Sequence, residues 1–232
     1  WRRTLNVSYG LRFERNRTFD TGPPDPILGR TDLTVHIGRL TSAVTWDTRN
    51  DASDTTRGTF VSTSLEHGSS RLGSDLLFIR SLTQAYYFRP WKNLVFASAA
   101  RYGAVKPLAG QTLISSLRFF AGGARTVRGV PEDSLGGLDF FGDPIGGRGL
   151  LTLNQEMRFP MYRWLRGVVF VDTGNVFPEA SGVRLSELVG STGVGLRLVT
   201  PFALFRVDYG RTIWNRPAPD SGQWVFGIGQ TF

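Results

Sequence analysis

The chain has 232 residues, 41% of them hydrophobic, with no cysteine and a formal charge of +8 that comes almost wholly from arginine. The lack of cysteine excludes a disulfide framework and thiolate metal sites, and no apolar run approaches the ~18 residues of a membrane-crossing helix. A membrane β-barrel stays open, because its strands need only ~9–11 residues and alternate apolar with polar.

From the N-terminus, Leu5, Val7, Tyr9, Leu11 and Phe13 alternate with polar residues from Thr4 to Glu14, the period of a half-buried strand. Gly22-Pro23-Pro24-Asp25-Pro26 then stops extension. Further strands are expected over Leu33–Asp47, Thr59–Glu66 and Asp75–Phe88, the last ending in a turn at Arg89-Pro90-Trp91-Lys92-Asn93. Leu94–Val105 follows, and a long connection from about Lys106 to Gly147 leads to Gly149–Phe159. In that strand Leu151, Leu153, Met157 and Phe159 oppose Thr152, Asn154, Glu156 and Arg158. Gly167–Phe177, Gly190–Thr200, Phe202–Thr212 and Gln223–Phe232 complete about ten strands, with no amphipathic helix between them.

Connections near residues 90, 163 and 201 are short, that near 52 is intermediate, and those near 22, 70, 130, 183 and 217 are longer. Short turns on one side and long loops on the other mark an up-and-down membrane barrel. A soluble β-sandwich would hide its apolar faces between two sheets. Trp46, Tyr86, Tyr87, Trp91, Trp164, Phe177, Trp214 and Trp224 sit near strand ends, as aromatic girdles do, and favour the barrel. The fold class is therefore all-β, an antiparallel transmembrane β-barrel occupying residues 1–232, with the long loop at about 107–147.

No enzyme motif emerges. Gly193-Val194-Gly195 lacks a following helix, Gly142–Gly149 lacks the Lys-Ser/Thr ending of a phosphate loop, and no Gly-x-Ser-x-Gly elbow occurs. His36 and His67 have no second ligand at metal spacing and read as solvated or lumen-facing side chains. The arginines are scattered, one or two per strand, with no nucleic-acid motif, and read as lining a polar interior and the membrane interface. A chain that opens on Trp1 without a signal peptide is expected to be processed, trimmed or a fragment.

Phe119-Phe120-Ala121-Gly122-Gly123-Ala124-Arg125-Thr126-Val127-Arg128-Gly129-Val130 stands out within the long loop. It is too rich in glycine for a helix and lacks a strand's alternation. It resembles the signature loop F-x-x-G-G-x-x-x-V-R-G-[FY] of the outer-membrane assembly-factor superfamily, the bacterial surface antigen family. That family includes the BamA and TamA barrels and the transporters of two-partner secretion. Val130 replaces the final aromatic residue. Phe170-Val171-Asp172-Thr173-Gly174 resembles the family's F-x-D-x-G strand, and Asn154–Phe159 resembles the acidic strand before it. The ending Trp224-Val225-Phe226-Gly227-Ile228-Gly229-Gln230-Thr231-Phe232 is similar to the terminal aromatic β-signal of barrel proteins.

The resemblance implies the C-terminal part of a sixteen-stranded bacterial outer-membrane barrel, with about six strands and any POTRA domains lying upstream of this chain. A shortened barrel, or one closed by a partner chain, is the alternative. It also implies a protein that folds and inserts other β-barrels through a lateral seam, without ATP, metal or cofactor. Its implied partners are unfolded barrel clients, membrane lipid, lipopolysaccharide and periplasmic accessory subunits. A pore plugged by the loop, or an anchor for a fused domain, are the other readings. If Glu156 faces inward with Asn154 and Arg158, and Asp172 with Arg166, Arg128 is expected to clamp the loop inside the barrel through both carboxylates. Gly227 and Gly229 are expected to leave the last strand little packing across the seam.

Overall fold

The computed structural model describes residues 4–18, 33–200, 202–215 and 222–232. The expected loop at Gly22–Pro26 and the turn residue Pro201 lie outside the described residues, as does most of the connection near 217. The elements are β1 (Thr4–Thr18), β2 (Leu33–Asp47), β3 (Gly58–Gly68), β4 (Phe78–Trp91), β5 (Leu94–Pro107), β6 (Gly149–Tyr162), β7 (Leu165–Phe177), β8 (Val189–Val199), β9 (Leu204–Trp214) and β10 (Gln223–Ile228). All ten form one antiparallel sheet in sequence order, each strand bonded to the next. β1 and β10 are its two edges. No helix among the described residues is long and apolar enough to cross a membrane.

Alternation decides which way each side chain points. Leu5, Val7, Tyr9, Leu11 and Phe13 of β1 are exposed on the outer face, where β10 places Trp224, Phe226 and Ile228. The opposite face is largely buried from β5 to β9, where it curls around the connection between β5 and β6, whereas β1 is exposed on both faces along Thr4–Phe13. This face carries Asn154, Glu156 and Arg158 on β6 and Phe170, Asp172 and Gly174 on β7. Trp46, Tyr87, Trp91, Trp164, Trp214 and Trp224 do face outward. Tyr86, expected in the same girdle, instead points inward and is buried, one residue out of phase with the outward Tyr87. Phe177 shares the phase of the outward Val169 and Val171 but is buried as well.

Two prolines lie inside strands where turns were expected. Pro90 pairs with Val95 of β5, but β3 ends opposite Phe88, so no neighbour asks for the missing N–H of Pro90. The turn itself is Lys92-Asn93, with Lys92 in the left-handed region at φ 52°. Pro160 likewise lies beyond the last β5 partner of β6, at a register shift between Pro160 and Tyr162. The turn between β2 and β3 is knitted by its own polar side chains. Backbone N–H groups of Asp54 and Ser53 donate to Asp51 and hold its carboxyl below the usual range. This turn folds under the sheet, where Thr55 is buried and Asp54 pairs with Arg166 at 2.6 Å.

The final strand is shorter than its alternation suggests. β10 ends at Ile228, Gly229 takes φ +87°, and its N–H donates to the Leu204 carbonyl at the foot of β9. Continued alternation would place Phe232 outside with Trp224, Phe226 and Ile228. The left-handed glycine turns the chain inward instead. Thr231 and Phe232 are buried inside, and Phe232 packs with Phe60, Tyr86, Phe88, Ala97 and Ala99.

Candidate functional site

Glycines let the long loop pass close to the wall. Gly122 and Gly123 adopt φ +116° and +81°, and a Cβ on Gly122 would lie 2.1 Å from the Pro131 carbonyl oxygen. Thr126 closes this bend: its hydroxyl accepts from the Gly122 N–H at 2.8 Å and donates to the Gly122 carbonyl at 2.7 Å. Val127 and Val130 are fully buried in a cluster with Leu135, Leu150, Val176 and Val189. Val130, where the signature has an aromatic ring, thus fills core space with a smaller side chain. Gly129 has φ +85° and touches the backbone of Gly210 on β9.

Arg128 between them is completely enclosed. Its Nε and Nη2 donate to the two oxygens of Asp172 at 2.7 and 2.9 Å, and its own backbone N–H donates to Asp172 at 3.1 Å. Nη1 donates to Glu156 at 2.6 Å and lies 3.4 Å from both Asp208 and the Thr231 hydroxyl. The guanidinium also covers the Phe170 ring at 3.5 Å. One planar fork therefore answers two carboxylates while its face rests on an aromatic ring.

The spacing of the β7 motif acquires a physical meaning here. Phe170 supplies the face, Asp172 the acceptor, and Gly174 the clearance: a Cβ at Gly174 would lie 3.1 Å from Val127 and 2.9 Å from the Leu151 carbonyl oxygen. Replacing Phe170 with Leu is expected to lower loop stability by about 2 kcal/mol, since a desolvated cation–π contact is lost with little change in hydrophobicity. The thermal midpoint of the folded form, followed by its heat-dependent gel mobility, measures this.

Arg197, Arg206 and Asp208 were not singled out in the sequence. Asp208 on β9 accepts from both terminal nitrogens of Arg197 on β8, and Arg158 lies 2.8 Å from Glu156. Arg206 on β9 is 3.8 Å from Asp208, so its hydrogen bonds go elsewhere: to the loop carbonyl of Ala124 at 3.2 Å and to Thr231 at 2.8 Å. Asn154 donates to the loop carbonyl of Thr126 at 2.6 Å. Arg166, expected beside Asp172, is paired with Asp54 at the turn end of the sheet instead. Gly227 serves the lumen more than the seam, because a Cβ there would lie 2.6 Å from Arg206 Nε.

A separate ladder holds the other side of the loop. Glu14, Arg39, Glu66 and Arg80 link β1 to β4 at 2.7, 2.9 and 3.1 Å, and Arg80 caps the loop residue Phe119 at 4.4 Å from its ring. His36 is exposed and hydrogen-bonded to Asp75, and His67 is exposed as well, so neither faces the lumen. No metal-holding cluster occurs among the described residues. Buried ion pairs tying a loop to a strand wall make an anchor.

All of residues 1–232 match the model of the Omp85 superfamily domain. The chain belongs to the Omp85 superfamily. This Omp85 domain is an outer-membrane β-barrel of the bacterial type. It is 29% identical over 240 residues to the outer membrane protein assembly factor BamA of Nitratidesulfovibrio vulgaris, covering 97% of this chain and 30% of that protein. A SAM50-like protein of Schizosaccharomyces pombe is 28% identical over 186 residues, covering 73% of this chain and 39% of the relative. The chain thus spans well under half the length of either. The crystal structure of BamA from Haemophilus ducreyi lacking POTRA domains 1–3 superposes with a TM-score of 0.80 at 17% identity. That match covers 97% of this chain and 51% of the BamA chain, which accounts for an Omp85 sheet with two open edges here.

Proposed function

We propose that this Omp85 domain belongs to an assembly factor that folds and inserts other β-barrel proteins into the outer membrane. The observation that carries the reading is β10, a six-residue strand that Gly229 ends by turning the chain inward. A strand this short makes few ladder bonds to the strand that closes the barrel beside it, so its edge N–H and C=O groups can pass to an incoming strand. Its outward Trp224, Phe226 and Ile228 are placed to face lipid. The driving energy would be the client's own burial in the bilayer, so the role requires neither ATP nor a cofactor. Clients are unfolded barrel proteins, and the surroundings are lipid and lipopolysaccharide. Periplasmic subunits would deliver clients to the part of the protein beyond this chain.

The full-length protein in liposomes should speed the folding of a small denatured barrel protein over empty liposomes of the same lipid. A client folding rate equal to that of empty liposomes removes the reading. The loop seated in the lumen by Arg128 favours a second one, a translocation pore that this loop plugs. Under it, replacing Arg128 should raise ion conductance while client folding stays unassisted.

A further inference from the structure

The C-terminal residues touch the same charge cluster that holds the long loop. Thr231 donates to Glu156 at 3.1 Å, accepts from Arg206 at 2.8 Å and lies 3.4 Å from Arg128 Nη1. Arg206 joins tail to loop directly, since the same Nη1 also donates to the Ala124 carbonyl. One residue further on, the Phe232 ring sits 5.7 Å from Tyr86, 6.1 Å from Phe88 and 5.7 Å from the guanidinium of Arg158. Arg158 in turn pairs with Glu156. Gln230 reaches Asp54 in the turn below at 3.3 Å.

We propose that residues 230–232 are a lumenal latch, which holds the loop clamp closed and leaves the lumen when β10 straightens. Three observations meet in it. The tail departs from an edge strand at a single left-handed glycine, so one backbone change redirects it. Its hydroxyl completes the shells of Glu156 and Arg206, both buried, so its departure strips hydrogen bonds from two enclosed charges. Its aromatic ring fills an inner pocket that a straight β10 would empty, since Phe232 would then fall on the outer face with Phe226 and Ile228. Straightening the seam strand and loosening the loop are therefore linked equilibria, and either event promotes the other.

This inference does not depend on the assembly reading, because its test reads the loop and not client folding. In the full-length protein in outer-membrane vesicles, trypsin cleavage after Arg128 requires the loop to leave its seat, as Arg128 is wholly enclosed. Mass spectrometry of the peptide ending there gives the rate. Thr231→Val and Phe232→Ala should each speed cleavage at least about tenfold, tracking the larger open population. Phe226→Ala, on the outer face of the same strand, should leave the rate unchanged.

These 232 residues hold no cysteine, so with any cysteine elsewhere in the full-length protein replaced by serine, an Ala97→Cys/Phe232→Cys pair gives a defined tether between members of one buried cluster. Oxidised, the tether should restore slow cleavage; reduced, the same protein should behave as Phe232→Ala. If a tail variant misfolds, this comparison within one folded sample decides. The latch is overturned by cleavage at the parental rate in folded tail variants. It is also overturned by identical oxidised and reduced rates in a pair that cross-links.

Discussion

Replacing Arg128 with methionine should release the long loop and cost the folded barrel about 3–5 kcal/mol, the penalty of leaving a buried carboxylate without its partner. The burden falls on Asp172. Its two oxygens are held by Nε and Nη2 of Arg128, and only the backbone N–H of residue 128 would remain to it. Glu156 would be less exposed to the loss, because Arg158 and Thr231 still reach it. Arg128→Lys should fall between the two, about 1–3 kcal/mol, because an ammonium cannot span Asp172 and Glu156 as a planar fork does. Adding Asp172→Asn to Arg128→Met should recover part of the stability by removing the stranded charge. Thermal midpoints of the four proteins and cleavage rates after residue 125 give both readings. If Arg128→Lys keeps full loop protection, the fork is not what holds the loop.

The fold was legible because lipid and lumen impose opposite demands on alternate residues. Leu5 through Phe13 on β1 and Leu151 through Phe159 on β6 show that alternation openly, and all ten strands follow from it and from the turns between them. Boundaries slipped where proline sat at a strand end paired on one side only, as at Pro90 and Pro160. Within the site, Arg128, Glu156 and Asp172 could be grouped because family-like motifs singled them out, and the structure brings all three together. Arg197, Arg206 and Asp208 could not. On a barrel strand, an inward charge that pairs across 80 residues of sequence, as Asp208 does with Arg128, looks the same as one facing water. The tail was hidden for a different reason. The pattern Trp224, Phe226, Ile228 continues in phase to Phe232, and only the conformation of Gly229 breaks it. A glycine in a strand does not announce whether it marks clearance, as Gly193 does for the Phe170 ring, or a change of direction.

Clearance is the basis of the second large expected effect. Gly210→Ala on β9 should unseat the loop nearly as completely as Gly129→Ala within it, although residue 210 carries no charge and lies outside every motif. The two glycines face each other across a backbone contact. A Cβ on Gly129 would lie 2.5 Å from the Gly210 carbonyl carbon, and a Cβ on Gly210 would lie 2.8 Å from the Gly129 nitrogen. Neither neighbour is the end of a flexible side chain, so one backbone must move. Gly129→Ala adds a second cost, because φ +85° is unfavourable for any residue with a Cβ. Gly210 has no such constraint, so its substitution isolates the steric part, about 1–3 kcal/mol or more for overpacking a tight contact. The loop is the more movable of the two partners, since β9 is fixed by β8 and β10 on either side. Movement of about an ångström there lengthens the 2.7 and 2.9 Å bonds from Arg128 to Asp172 beyond useful range. Both variants should therefore fold as barrels yet lose protection after Arg128. Combining Gly210→Ala with Arg128→Met should add little to loop release, because each already breaks the same seat. Full additivity of the two would mean that Gly210 supports β9 itself rather than the loop.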